Sequence, residues 1–329
     1  MVELGLTGDV MLGRLVDERQ HEPRRDPESV WGDRLDRLRS LDGLVVNLEC
    51  ALSTRGEKWT RTDRPFHFRA DPGWAVPALE RGGVDAAALA NNHLLDFGEP
   101  ALLDTVAHLD DAGIAHAGAG ETLDAAREPA VASVGGLDVA VVAATDNTPE
   151  YAAGEDSPGV VHLPLDPEDG ESREAMTGMV AAAESRDPDL VVASLHWGPN
   201  MVTEPGDPHR AFGRWLAERV DLVHGHSAHV PQGVEVHDGT PVLYDAGDFV
   251  DDYRVDPELR NDLSFLFVAD VDRSGVRQLR LEPVVIRDCA VFAAGSPAAG
   301  WVRDAMRERS REFGTDFERD GEALVLDVS

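Results

Sequence analysis

Apolar positions fall into short runs separated by stretches of helical spacing. Val2–Thr7, Leu44–Leu48, Val84–Leu89, Val139–Ala144, Leu190–Leu195 and Leu222–Val223 are compact apolar segments and read as buried strands. Between them, Ser29–Leu41 carries apolar residues at helical spacing. Pro77–Arg81 closes a helix, and Ala101–Ala112 places Leu102, Val106 and Leu109 on one helical face. Repeated alternation of strand and helix predicts a layered α/β fold. After Gln232 the pattern changes. Val234–Val236, Val242–Tyr244, Leu263–Val271 and Gln278–Ile286 read as strands joined by turns such as Asp238-Gly239, which predicts antiparallel hairpins. Arg303–Phe313 reads as a helix and Ala323–Val328 as a closing strand.

The 329 residues are read as a single domain, because chemically suggestive residues lie on both sides of the Gly-, Pro- and acid-rich stretch 147–171, which is expected to be a surface loop. Residues 296–329 are expected to form a C-terminal extension packed on that domain.

Composition changes the picture in one respect. Sixty-two acidic residues oppose 30 basic ones, giving a formal net charge of -32, and Lys58 is the single lysine. A carboxylate-covered surface of this kind suits high salt, where it stays hydrated and its self-repulsion is screened. It argues against sequence-independent nucleic-acid binding, which needs clustered Lys and Arg. Cys50 and Cys289 form no CxxC motif and are expected to be buried and unpaired. The N-terminus lacks a basic segment before its first apolar run, and no run reaches the length of a membrane helix. A cytoplasmic protein with no membrane segment of its own is therefore expected.

Metal-capable side chains recur where strands should end. Asp9 follows Val2–Thr7, Glu49 follows Leu44–Leu48, and Asn91, Asn92 and His93 follow Val84–Leu89. His196 follows Leu190–Leu195, while His224, His226 and His229 follow Leu222–Val223. Ligand sites of open α/β sheets lie beyond the carboxyl ends of strands. Taken singly, each residue has a structural explanation: Asp after Gly is a common turn, and Asn-Asn-His makes a capped turn with a core histidine. Taken together, carboxylates, an amide and imidazoles at five strand ends are what a dinuclear centre needs.

The set Gly8-Asp9-Val10-Met11-Leu12-Gly13-Arg14, Asn47-Leu48-Glu49, Ala90-Asn91-Asn92-His93, Asp96-Phe97-Gly98, His196-Trp197-Gly198, Gly225-His226 with His229, and Gly247-Asp248-Phe249 resembles the CapA family of poly-γ-glutamate capsule biosynthesis proteins. That family is related to the calcineurin-like metallophosphoesterases. The resemblance implies an α/β/β/α four-layer sandwich with two divalent ions (Mn, Fe or Zn) at one edge. It implies that Asp9 and His229 hold one ion, that Asn92, His196 and His226 hold the other, and that Glu49 bridges them. His93 would hydrogen-bond a leaving or attacking oxygen, and Arg14 would clamp an anionic group. Asn47, Asn91 and Trp197 would contact substrate. Met11 stands where the phosphoesterase pattern Asp-x-His has its histidine, so the first ion loses a ligand. Asp245, Asp248, Asp251 and Asp252 are either a solvated acidic surface or part of the site. The resemblance implies a metal-dependent hydrolase of an anionic small molecule or polymer. The alternative is a non-hydrolytic component of poly-γ-glutamate synthesis or transport that binds metal and polymer.

Overall fold

The computed structural model describes residues 1–21 and 25–328. Two sheets dominate it. In the larger, the order is Glu318–Asp320, Ala323–Asp327, Gly275–Arg287, Leu263–Asp272, Val2–Val10, Gly43–Leu48, Ala86–Ala88 and Ala115–Ala117. The four strands from Val2–Val10 onward run parallel, and Leu263–Asp272 is antiparallel to the first of them. In the smaller, the order is Val234–His237, Thr240–Leu243, Leu222–His226, Leu190–His196, Leu137–Thr145 and Ala130–Val134.

Period-two alternation builds the layers. On the strand Gly43–Leu48, Val45 joins Leu4, Leu6, Phe265 and Phe267 against Val139, Val192 and Leu222 of the smaller sheet. Leu44, Val46 and Leu48 face the other way, against Trp74 and Leu79 of helix Pro72–Gly82 and Leu102 and Leu109 of helix Glu99–Ala112. The smaller sheet's outer face, including Val142 and Ala193, meets Met176 and Met179 of helix Gly170–Glu184 and Phe212 and Leu216 of helix Asp207–Ala217. Helix, sheet, sheet and helix therefore stack in four layers, as an α/β fold. Among the described residues no helix is long and apolar enough to cross a membrane.

Several elements differ from their sequence patterns. The first strand runs on to Val10, so Asp9 lies within it rather than after it. The helical spacing of Ser29–Leu41 is realised as a 3-10 segment, Pro27–Arg34, kinked within itself at Gly32, whose φ is 48°, and a short helix, Leu35–Leu38. The helix that Pro77–Arg81 closes starts at Pro72 and ends at Gly82, with Pro77 in its interior. Within 147–171, expected as a surface loop, Tyr151, Val160, Val161, Leu163 and Leu165 are buried, and Gly159–Val160 pairs with Ala119–Gly120. The Gly, Pro and acidic residues around these apolar positions hid them. In the segment expected to pack on the domain as an extension, Ala323–Asp327, read as a closing strand, pairs in the large sheet with Gly275–Arg287. The Asp238-Gly239 turn does close an antiparallel hairpin, with both residues at positive φ as a two-residue hairpin requires. Cys50 and Cys289 are both free.

Candidate metal centre

The parallel strands of both sheets end at one edge, and the metal-capable side chains gather there. Two glycines make the approach possible. A Cβ on Gly8 would lie 1.8 Å from the Gly247 carbonyl oxygen, and one on Gly225 would lie 2.2 Å from that of Tyr244. Only glycine lets the strand carrying Asp9 close on 247, and the strand carrying His226 close on 244. His196 and His226 are register partners on neighbouring parallel strands, so their rings emerge side by side. The turn after His226 places Ser227 and His229 at positive φ. The Asp245 carboxylate holds this turn by accepting from the Ala228 N–H at 2.6 Å and the Gly247 N–H at 2.7 Å.

All six proposed ligands converge. The Nδ1 atoms of His196 and His226 are 2.9 Å apart, and both lie within 3.8 Å of Asp9 Oδ1. His229 Nδ1 is 3.3 Å from Asp9 Oδ2. Asn92 Oδ1 is 2.9 Å from His196 Nε2, and Glu49 Oε1 is 3.9 Å from the same nitrogen. Asp9, His196 and His226 form one group able to hold an ion, and Asp9, Glu49 and His229 form a second. Asp9 is the carboxylate common to both groups, and Glu49, expected to bridge, is a member of the second and lies 3.9 Å from His196 of the first. The reason is position: Asp9 lies on the innermost parallel strand, between Asn47 and Asp248 in register.

Burial sets the electrostatics. It acts to raise the Asp9 carboxyl, but the imidazoles of His196, His229 and His226 outweigh it and hold that group well below the usual range. Burial pushes the Glu49 carboxyl well up, and neighbouring Asp9 adds to the rise. Burial lowers His196 to about 4 and takes His226 well below the ordinary imidazole value. His229 goes the other way: Asp248 and Glu49 overcome its burial and raise it well up. The Asp9 Oδ2 and Glu49 Oε1 atoms are buried without a hydrogen-bond partner. Buried carboxylate oxygens without partners cost free energy that a cation would offset. Oxygen and imidazole donors without a thiolate suit Mn, Fe or Zn. The residues present therefore fit a divalent-metal pair.

The surrounding residues divide into those near the centre and those that only support it. His93 Nε2 is 3.9 Å from Glu49 Oε1, and its Nδ1 is 2.6 Å from Asp96 Oδ2. Arg14 lies at the rim, with Nε 3.3 Å from Asp252 and its guanidinium over the Phe66 and Phe68 rings. Three residues expected to contact substrate are buried, with their polar groups engaged inside the protein. Asn47 is fully buried and donates to Asp9 Oδ1 at 2.6 Å. Asn91 is fully buried and donates to the Leu48 carbonyl. The Trp197 indole N–H goes to the Tyr244 carbonyl at 2.7 Å, in the apolar layer beneath. Met11 is likewise packed in an apolar layer, where its sulfur accepts from the Gly13 N–H. The acidic cluster is no solvated surface, since Asp245, Asp248 and Asp251 are buried. Asp248 Oδ1 is 2.8 Å from His229 Nδ1.

Sequence reasoning missed Arg64, Asp96 as His93's partner, and Tyr253. Arg64 donates to the Asn92 carbonyl oxygen, and the Tyr253 hydroxyl donates to Glu49 Oε2 at 3.1 Å. Asp96 was legible as part of a motif; the other two had no local signal. Outer partners of this kind orient ligands and tune metal affinity. Asp248→Asn should therefore weaken metal binding by roughly 10- to 100-fold while leaving the thermal transition cooperative. Metal titration checks this, and an unchanged affinity would remove Asp248 from the centre.

Residues 3–253 match the family model described as bacterial capsule synthesis protein PGA_cap. A probable polyglutamine synthesis accessory protein of Mycobacterium tuberculosis is 34% identical, over 95% of this chain and 92% of that one. The PGA biosynthesis protein CapA of Bacillus subtilis is 28% identical over 77% of this chain and 64% of its own length. A solved structure of a hypothetical protein from Thermus thermophilus aligns over 89% of this chain and 96% of that one, with a TM-score of 0.45 and 18% identity.

Proposed function

The chain belongs to the family of bacterial capsule synthesis proteins, and from that premise we propose that it is a hydrolase of anionic esters dependent on two divalent metal ions. One observation carries the reading: Asp9, Glu49, Asn92, His196, His226 and His229 meet at one strand edge, with partnerless carboxylate oxygens among them. Bound ions would lower the pKa of a water and offset charge developing on the group transferred.

The protein's own side chains supply the rest. The Arg14 guanidinium, steadied by Asp252 and by the rings beneath it, offers a planar fork to an anionic group. His93 presents Nε2 toward the centre, while Asp96 fixes its ring from the Nδ1 side. Asp96 is itself held by the Tyr151 hydroxyl and the Phe68 N–H, so the imidazole cannot swing freely. Burial lowers the His93 pKa, and Asp96 opposes that effect. A ring so placed can hand a proton to a departing oxygen at Nε2.

His93→Gln should keep its metal and its melting temperature and lose roughly a hundredfold or more in turnover. Elemental analysis, thermal unfolding and a rate assay with an aryl phosphate on the same preparation check this. Loss of metal would make His93 a ligand, and full activity would remove it from the reaction. The reading as a whole is tested by metal analysis and by a phosphoester panel on protein purified in high salt.

The relatives' names favour a second reading, in which the same pocket binds metal and an acidic polymer without cleaving it. Tight binding of poly-γ-glutamate by metal-loaded protein, with no turnover of any ester, would select it.

A further inference from the structure

The mouth of the metal centre is unlike the rest of the surface. A cleft of about 370 Å³ opens over His93 and His229, walled by Arg14, Phe66, Phe68 and Met201. Among the described residues, its lining includes Arg14 and Arg254 and no carboxylate. That is notable in a chain with 62 acidic residues. The large apolar side chains left exposed also concentrate here. Phe66 is 53% exposed and Met201 37%, and both line this cleft. Leu15 and Val255, 46% and 44% exposed, line a neighbouring hollow of about 470 Å³. The two hollows share Tyr253 and Asn261. Elsewhere among the described residues the large exposed apolar side chains are Met1, Leu103 and Val131. Exposed apolar residues gathered at a concave site, rather than scattered, mark a binding surface.

Charge separates the two hollows. The second sets Asp251, Asp252, Asp262 and Asp288 against Arg19 and Arg287 in its lining, so its balance is acidic and disfavours an anionic group. Three of these acids are already engaged: Asp252 with Arg14, Asp262 with Arg260 and Asp288 with Arg19. An uncharged apolar chain can lie over Leu15 and Val255 without displacing an ion pair. Met201 adds a further sign. It holds φ at +61°, a conformation uncommon for a side chain of its size, with its N–H tied to the Ala228 carbonyl.

We propose that the site takes an organic phosphate monoester whose alcohol part is apolar, with the phosphoryl group over the metal centre beside Arg14 and the hydrocarbon against Phe66 and Met201. The proposal rests on the hydrolase reading and deepens it. Water would supply the oxygen that bonds phosphorus, the P–O bond to the alcohol would break, and the alcohol would leave with a proton.

Binding rather than turnover tests it. Inorganic phosphate, methyl phosphate and n-hexyl phosphate would be titrated calorimetrically into Mn-loaded protein in molar KCl, which keeps the acidic surface screened. Hexyl phosphate should bind roughly tenfold tighter than methyl phosphate, well short of the roughly thousandfold that full burial of five added methylenes would give. In the double variant Phe66→Ser, Met201→Ser the ratio of the two affinities should fall below about twofold. Equal affinities in the parent protein would overturn the proposal and leave the hydrolase reading standing. A ratio that survives in a folded double variant would also overturn it. If none of the three ligands binds, the anion site of the hydrolase reading fails and the proposal falls with it. Should the double variant not fold, the ratio in the parent protein decides.

Discussion

Asp9→Asn should strip both metal equivalents from the protein, whereas His229→Ala should strip one. Asp9 belongs to both groups able to hold an ion, and His229 to one. Asparagine keeps the shape of the side chain and leaves an oxygen for the Asn47 amide, so the surrounding packing has no reason to collapse. What disappears is the charge and the second oxygen, the atom that lies 3.3 Å from His229 Nδ1 and has no other partner. Loss of an outer partner costs about 10- to 100-fold in metal affinity, and a shared ligand should cost more than that for each ion. Metal content after dialysis, measured beside the parent protein at the same salt, gives the answer directly. If Asp9→Asn loses a single equivalent while Glu49→Gln loses both, the bridging place belongs to Glu49, as the phosphoesterase resemblance implies. A variant that keeps both equivalents would remove Asp9 from the centre altogether.

The contrast between Asp9 and Trp197 shows how far the sequence could be read. Parallel strands deliver their carboxyl-end residues to one edge whatever the details of packing, so strand ends alone pointed to a pool containing Asp9, Glu49, Asn92, His196, His226 and His229, and the family resemblance singled these out from Asn91, His93 and His224. Trp197 follows directly on His196 but points into the layer beneath, because alternation along a strand sends neighbours to opposite faces. Asn47 and Asn91 were legible as polar residues near the centre. That their amides would be spent on Asp9 and the Leu48 carbonyl depends on contacts across 38 and 43 residues of chain. Arg64 reaches the Asn92 carbonyl from a segment with no periodicity at all. The layers themselves were legible because apolar runs mark buried strands. Tyr151 and the run from Val160 to Leu165 were not, being set among Gly, Pro and acids, with a burial that comes from a loop folding back on the sheet. The acidic cluster after Tyr244 stayed open between surface and site for a related reason. Composition makes aspartate ordinary in this chain, so charge alone did not separate the buried Asp248, which lies beside His229, from acids at the surface.

Thermal stability should climb steeply with added KCl. The chain carries a formal charge of -32, and its 30 basic residues cannot neutralise 62 acidic ones even if every one is paired. Many pairs that do form are exposed, such as Arg186 with Glu128 and Arg319 with Glu322, and contribute little by themselves. The surplus acids repel one another across the surface, and the unfolded chain escapes that repulsion by expanding. Salt acts on range: the screening length falls from about 10 Å at 0.1 M to about 3 Å at 1 M, below the usual spacing of surface charges. Salt added beyond that also strengthens apolar burial when its ions are excluded from the surface. The melting temperature should rise by roughly 10 °C or more between 0.1 and 2 M KCl. For a chain of 329 residues that corresponds to about 7 kcal/mol at the midpoint. The metal centre offers an internal control. Its carboxylates are buried, where salt screens far less than at the surface. Metal-free and metal-loaded protein should therefore show parallel curves, offset by the binding contribution. A melting temperature flat across the range would reject the surface argument. A slope that appears only in the metal-loaded protein would place the salt effect at the centre instead.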